Sequence, residues 1–275
     1  MAFNVKTFYT RATTALVFVA LLLGCVWYSK YSFIAFFTIV GFIGLYELYS
    51  ISEKLNTKPN RFIGFLLHLI TMGNVFLLYG TIVSFNIGIF VILCFSLFII
   101  ELFKKEPSLS NVSGTIVAWV FVTLPCYLII KIGYIILDIG FEPQRILGII
   151  FFIWINDTGA YLVGSFIGKH KLYEKISPNK TWEGTLGGIA LCIALSFLVA
   201  HIFPQLALKH WVVISVIVAV FGTLGDLVES MLKRMAGVKD SGKLMPGHGG
   251  VLDRFDSLFF ATPFVFCYLA LMGLL

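Results

Sequence analysis

At 275 residues, with 59% hydrophobic and 12% charged side chains and a mean hydropathy of +0.96, the chain is too apolar for a soluble globular domain, in which about 25% of residues are charged. Twenty lysines and arginines oppose fourteen aspartates and glutamates, a formal charge of +6. Such an excess suits anionic lipid, anionic substrates or nucleic acid, and the placement of the charges decides among them.

Apolar runs long enough to cross the hydrocarbon core follow one another along the chain. They cover Ala12 to Tyr28, Tyr31 to Tyr49, Phe62 to Tyr79, Thr81 to Phe103, Val112 to Ile130, Ile146 to Ile167, Thr185 to Phe203, Trp211 to Leu232 and Leu258 to Leu275. All are read as helices, because open sheet edges are excluded from lipid. The expected fold is therefore an all-α, polytopic membrane protein of about nine spans. Lys6 and Arg11 ahead of the first run, and Leu22-Leu23-Gly24-Cys25 within it, suggest a signal peptide. No A-x-A site follows, and the run is expected to stay as the first span. The five cysteines (Cys25, Cys94, Cys126, Cys192, Cys267) all lie in apolar runs without CxxC spacing, which excludes a disulfide framework and a zinc site.

With the N-terminus in the cytoplasm, sixteen of the twenty basic residues fall on the cytoplasmic side and four (Lys30, Lys131, Arg145, Lys209) on the other. That asymmetry obeys the positive-inside rule and predicts a cytoplasmic N-terminus. It also places most of the basic charge along the cytoplasmic membrane face, and no nucleic-acid partner is expected. The chain reads as one membrane domain, 1–275, with N-terminal spans over 1–135 and a catalytic half over 145–275. Eight of the fourteen acids lie from residue 151 onward. Glu47 and Glu101, near cytoplasmic ends of their spans, are expected to reach headgroups.

Three stretches carry chemistry. The sixth span contains Asn156-Asp157-Thr158-Gly159-Ala160-Tyr161. At the rise of an α-helix, Asp157 lies roughly 17 Å from either end of that span. A carboxylate there marks a functional site unless it is a structural hydrogen-bond partner. The following loop reads Ser177-Pro178-Asn179-Lys180-Thr181-Trp182-Glu183-Gly184, with turn residues, hydroxyls and a lysine at a helix start, where phosphate is well received.

The eighth span then ends on Asp226, Ser230 and Lys233, spaced to share one helix face. A structural alternative pairs Lys233 with Glu229. Beyond it, glycines 242, 247, 249 and 250 would let backbone amides approach a phosphate. Asp253 and Asp256 offer hard oxygens for magnesium, and Arg254 a fork for phosphate.

The pattern Ser230-x-x-Lys233-Arg234-x4-Lys239-Asp240-x-Gly242, then Pro246-x-His248-Gly249-Gly250-x-x-Asp253-Arg254-x-Asp256, resembles the signature of the phosphatidate cytidylyltransferases. The resemblance takes in the Asn156 and Ser177 motifs upstream and covers roughly the C-terminal 130 residues. Met245 stands where Ile, Leu or Phe is usual, and Asn179 where many members have lysine.

The resemblance implies a helical membrane fold whose last spans form a polar, cytosol-facing cavity. It also implies Mg2+ dependence, a second monovalent cation such as K+, and a homodimer in the inner (cytoplasmic) membrane. Its substrates would be CTP and phosphatidate, giving CDP-diacylglycerol and pyrophosphate among the membrane lipids. Carried onto this chain, Asp226, Asp253, Lys233 and Arg254 would be catalytic, with Asp226, Asp253 and Asp256 as metal ligands. Substrate contacts would fall on Lys180, Ser177, Thr181, Ser230, Arg234, Lys239, His248 and Asp157. Two rivals remain. A CTP-dependent isoprenoid-lipid kinase would move the γ-phosphate and need a base. A cation-coupled transporter would show paired broken helices in two halves, whereas the unusual residues here crowd into one.

Overall fold

The computed structural model describes residues 5–76, 81–134, 140–245, 247 and 249–275, and side-chain surroundings at all of these but 5–11, 76 and 81–87. The backbone of a lipid-immersed segment must satisfy its own hydrogen bonds, and helix is what these apolar runs form. In chain order the helices are α1 (Val5–Tyr28), α2 (Lys30–Lys54), α3 (Arg61–Phe76), α4 (Thr81–Leu102) and α5 (Leu109–Ala118). A π-helical turn (Trp119–Thr123) joins α5 to α6 (Leu124–Gly133). Then come α7 (Pro143–Ile167), strands β1 (Lys171–Tyr173) and β2 (Ser177–Thr181), α8 (Trp182–Ile202), α9 (Leu208–Met235) and α10 (Leu252–Leu271).

Among the described residues each predicted run overlaps a helix; residues 77–80, with the end of the third run, lie outside the described residues. Six helical stretches are long and apolar enough to cross a membrane: α2, the continuous α5–α6 stretch, α7, α8, α9 and α10. Three shorter apolar helices cover Ala12–Tyr28, Arg61–Val75 and Gly88–Leu102. The loop after α7, expected to be irregular, is instead an antiparallel β1–β2 hairpin pairing Lys171 with Thr181 and Tyr173 with Ser177.

The chain divides into two compact units, Met1–Ile130 with Met235–Asp253, and Lys131–Arg234 with Arg254–Leu275. In the first, α2 starts on Ser29, whose hydroxyl accepts from the Tyr31 amide, and buries Phe33, Phe37, Leu45 and Tyr49. Ile63, Leu67, Leu97 and Val112 form a separate apolar cluster with Trp119 against it. Polar clamps organise the same unit. Glu101 is buried and accepts from Asn111 Nδ2 at 2.6 Å, Ser108 N at 3.0 Å and Lys104 Nζ at 2.7 Å. It fastens the α4–α5 connection rather than meeting headgroups. His68, fully buried, bonds the Thr38 carbonyl through Nε2 (3.0 Å) and the Thr123 hydroxyl through Nδ1 (2.9 Å). A carbonyl only accepts, so Nε2 carries a proton.

In the second unit α7 packs along α8 through small residues, which let helix backbones approach closely where no hydrophobic force drives association. A Cβ at Gly184 would lie 2.6 Å from the Ala160 carbonyl oxygen, and one at Gly188 would lie 2.9 Å from that of Asn156. Gly184→Ala is expected to lower unfolding stability by about 1–3 kcal/mol, the usual cost of overpacking. Gly24→Ala, with nothing within 4 Å, serves as the control. Thermal unfolding of both variants in detergent checks this, and an unchanged midpoint for Gly184→Ala would contradict the close approach.

Candidate active site

The second unit gathers charge from four elements. Near the middle of α7, Asp157 is exposed at a turn whose neighbours Asn156 and Gly159 are buried. Asn156 Nδ2 donates to Thr223 Oγ1 of α9 at 3.2 Å, fixing that turn against its neighbour. The β2 strand supplies Lys180, whose Nζ lies 2.6 Å from Asp226 Oδ2 on α9. One turn along α9, the Ser230 hydroxyl donates to Asp226 Oδ1 at 3.2 Å.

The adjacent glycine explains how α9 comes so close to α10. A Cβ at Gly225 would fall 2.7 Å from the Asp256 carbonyl oxygen and 2.5 Å from Phe260 Cβ. Asp256 is buried, and its Oδ1 accepts from the Ser257 amide at 2.6 Å. Asp157 interacts electrostatically with Lys180, Asp226 and Arg254, and Asp256 with Asp226, Asp157 and Lys233. Three carboxylates thus sit within each other's field, balanced from β2 by one ammonium.

The hairpin holds Lys180 in place. Thr181 caps α8, its hydroxyl accepting from Gly184 N at 3.1 Å. Glu183 reaches back to the amides of Lys169 (3.1 Å) and His170 (3.2 Å) and to His170 Nδ1 (2.6 Å). The expected substrate residue Thr181 is therefore buried and occupied as a cap, and Ser177 opens β2 opposite Tyr173. Lys233 is buried and ion-paired with Glu229, which is fully buried. Arg234, Lys239 and Arg254 are exposed. His248 lies outside the described residues.

The glycine-rich stretch belongs to the first unit, and there four backbone amides, of Ser241, Gly250, Val251 and Leu252, are already in use. Asp253 Oδ2 accepts from Ser241 N (2.9 Å), Ser241 Oγ (3.0 Å) and Gly250 N (2.7 Å). Glu47 of α2 accepts from Val251 N (3.0 Å) and Leu252 N (2.8 Å), and its Oε2 lies 3.0 Å from Ser241 Oγ, whose one proton is shared between Glu47 and Asp253. The sequence suggested amides aimed at phosphate, and these four are instead taken up by the protein's own carboxylates. Gly249 has φ +82°, open to glycine, and a Cβ there would lie 2.4 Å from Asp253 Oδ2.

Whether these residues suit a magnesium ion depends on their donor chemistry. Among the described residues no three His, Cys, Asp or Glu side chains converge tightly enough to hold an ion. Asp157, Asp226 and Asp256 nonetheless supply the hard oxygens that magnesium prefers. Their charge is met by the Lys180 ammonium on Asp226, so the cluster is one that already recruits a cation. Asp226 and Asp256 are the acids of this cluster whose oxygen chemistry suits such an ion. Asp253 is engaged through Oδ2 in organising its own loop.

Glu47 and the Lys180–Asp226 pair were not foreseen. Glu47 stands alone among apolar residues in the sequence, and its partners lie 194 to 205 positions away. Lys180 and Asp226 carry no spacing signal either, since they meet only through an ion pair between β2 and α9, elements far apart in the sequence.

Helices and site together define a predominantly helical, multi-pass membrane protein with an acid-rich site served by basic side chains. The chain belongs to the cytidylyltransferase family, whose family model matches residues 9–272. It is 54% identical over 113 residues to a phosphatidate cytidylyltransferase of Staphylococcus epidermidis, covering 40% of this chain and 43% of that protein. It is 50% identical over 123 residues to a phosphatidate cytidylyltransferase of Bacillus subtilis, covering 44% and 45%. These matches span less than half the length of either relative.

Proposed function

We propose that the protein is a CTP:phosphatidate cytidylyltransferase, and that its reaction occurs at the Asp157–Lys180–Asp226–Asp256 cluster. The observation that carries this reading is the Lys180 ammonium on Asp226 beside two further acids. A polyphosphate and a lipid phosphate repel each other, and such a site can gather both a hard cation and positive side chains around them. Transfers of this kind depend mainly on charge stabilisation and positioning.

A phosphatidate oxygen attacks the α-phosphorus of CTP, the bond to the β-phosphate breaks, and pyrophosphate leaves. The attacking phosphomonoester has a second pKa near ~6 and is largely dianionic at neutral pH, so no strong base is required. Asp226 and Asp256 would hold magnesium, with Asp253 as a further hard-oxygen ligand, and when bound the ion would offset the charge of the phosphate oxygens and of the leaving pyrophosphate. Lys180, Lys233 and Arg254 meet phosphate, with Arg234, Lys239 and His248 along the approach. Ser177 and Ser230 orient the substrates, Thr181 holds the start of α8 beside Lys180, and Asp157 completes the acidic wall. A monovalent cation and a homodimer belong to the same proposal.

The acyl chains stay in the lipid while CTP arrives from the cytosol. The proposed arrangement is therefore nine spans in the inner membrane, N-terminus and site facing the cytoplasm, with the last spans enclosing a polar cavity. Cysteines placed at the exposed positions Asn179 and Lys243 are expected to resist an impermeant thiol reagent in intact cells. They are expected to react in inverted vesicles, and the opposite pattern would overturn the orientation.

The activity is tested by incubating purified protein in detergent with labelled CTP, magnesium and phosphatidate or an isoprenoid alcohol. CDP-diacylglycerol with pyrophosphate is the expected result. Lipid phosphate with CDP would identify a kinase instead.

A further inference from the structure

We infer that Glu47 is a positioning residue, a buried latch that sets the backbone of the signature segment from Ser241 to Leu252. The inference rests on the proposed cytidylyl transfer for its catalytic consequence, though not for its structural one. Glu47 is 4% exposed. It lies on α2 in the N-terminal half, which carries none of the sequence signature. Both of its oxygens are engaged: Oε1 takes the Val251 amide, and Oε2 takes the Leu252 amide and shares the Ser241 hydroxyl with Asp253.

Two glycines of the signature owe their identity to this contact. A Cβ at Gly242 would stand 2.2 Å from Glu47 Oε1, and one at Gly250 would stand 2.4 Å from both Oε1 and Oε2. The carboxylate is therefore enclosed by the segment itself. Ser241 joins it to Asp253, since one hydroxyl lies 3.0 Å from Glu47 Oε2 and 3.0 Å from Asp253 Oδ2. Two carboxylates thereby gather four amides and one hydroxyl, and the segment between Lys239 and the start of α10 is held at both ends.

A consequence follows for substrate binding. Val251 and Leu252 provide the first amides of α10, the place where a helix would ordinarily offer N–H groups to a phosphate. With those amides taken by Glu47 and the Gly250 amide by Asp253, these three are closed to a nucleotide phosphate, which would meet side chains such as Lys239 in this segment. Glu47 acts by holding the chain that carries those side chains.

The test compares Glu47→Gln with wild type and with Glu53→Gln in the intact protein. Glu53 lies on the same helix and pairs with Arg61 at 2.7 Å. Gln retains the shape of Glu47 but turns one acceptor into a donor facing other donors. Amide hydrogen exchange over residues 249–252 is expected to quicken roughly ten- to a hundredfold in Glu47→Gln, with the remaining helices unchanged. In the same protein KM for CTP is expected to rise about tenfold or more, while Glu53→Gln matches wild type in both measurements. A merely structural glutamate would reduce the yield of folded protein and leave KM as it was.

If Glu47→Gln does not fold, Gly250→Ala pushes against the same carboxylate from the other side, and the same local quickening is expected. Unchanged exchange over 249–252 overturns the latch, and faster exchange with an unchanged KM overturns its positioning role. A wild-type protein that forms no CDP-lipid would remove the proposed reaction, and exchange alone would then decide whether Glu47 holds the segment.

Discussion

Asp226→Asn is expected to lower kcat roughly a hundred- to a thousandfold, the scale on which removing one electrostatic contact to a transition state is felt. Asp226 is the point at which the site's charges meet. It receives the Lys180 ammonium and the Ser230 hydroxyl, and it lies in the field of Asp157 and Asp256. Asn preserves the volume and removes the charge that both a lysine and a hard cation require. The Lys180 pair is partly exposed on both sides, so its loss should scarcely alter stability. Turnover at saturating CTP and magnesium is the quantity to measure, alongside the thermal midpoint. Activity within threefold of wild type would remove Asp226 from the proposed chemistry.

Lys233→Gln presents the opposite balance, because its partner Glu229 is fully buried. Breaking a buried ion pair by removing one member typically costs about 3–5 kcal/mol, since the other charge is left in a low-dielectric interior. Lost activity in this single variant would therefore confuse instability with a lost phosphate contact. The double variant Glu229→Gln/Lys233→Gln removes both charges and is expected to recover most of the stability. If Lys233 meets phosphate, the recovered protein stays slow by roughly ten- to a hundredfold, the worth of one charge-assisted contact. Unfolding in detergent and kcat/KM for CTP, measured on both variants, separate the two effects. A stable double variant with nearly full activity would leave Lys233 as the internal counter-charge of Glu229.

The helices were legible because hydropathy is a local property: among the described residues each of the nine apolar runs overlaps a helix. The acids of the C-terminal half were legible for the same reason, since Asp157 and Asp226 interrupt apolar runs where a charge is costly. What escaped the sequence was pairing across distance. Glu47 and Glu101 looked like interfacial acids reaching for headgroups, yet both are buried acceptors of backbone amides. The hairpin escaped as well. Its strands expose residues on both faces and include Pro178, so no alternation of polar and apolar side chains announced it. The glycines of the signature were read as making room for a ligand, and several of them make room for Glu47 and Asp253.

The π-helical turn at Trp119–Thr123 bears on how this chain tolerates insertions and deletions. A π turn accommodates about one residue more than an α turn does. The helical faces before and after it therefore keep the bearing they would have in an uninterrupted helix one residue shorter. Elsewhere in a membrane-crossing helix, losing a residue rotates everything beyond it by about 100° and exchanges lipid-facing side chains for packed ones. Between Trp119 and Thr123 a single deletion can be absorbed by winding the turn back to α. The turn that ends on Thr123, the partner of His68, is thus also the place where this span could change length without scrambling its faces.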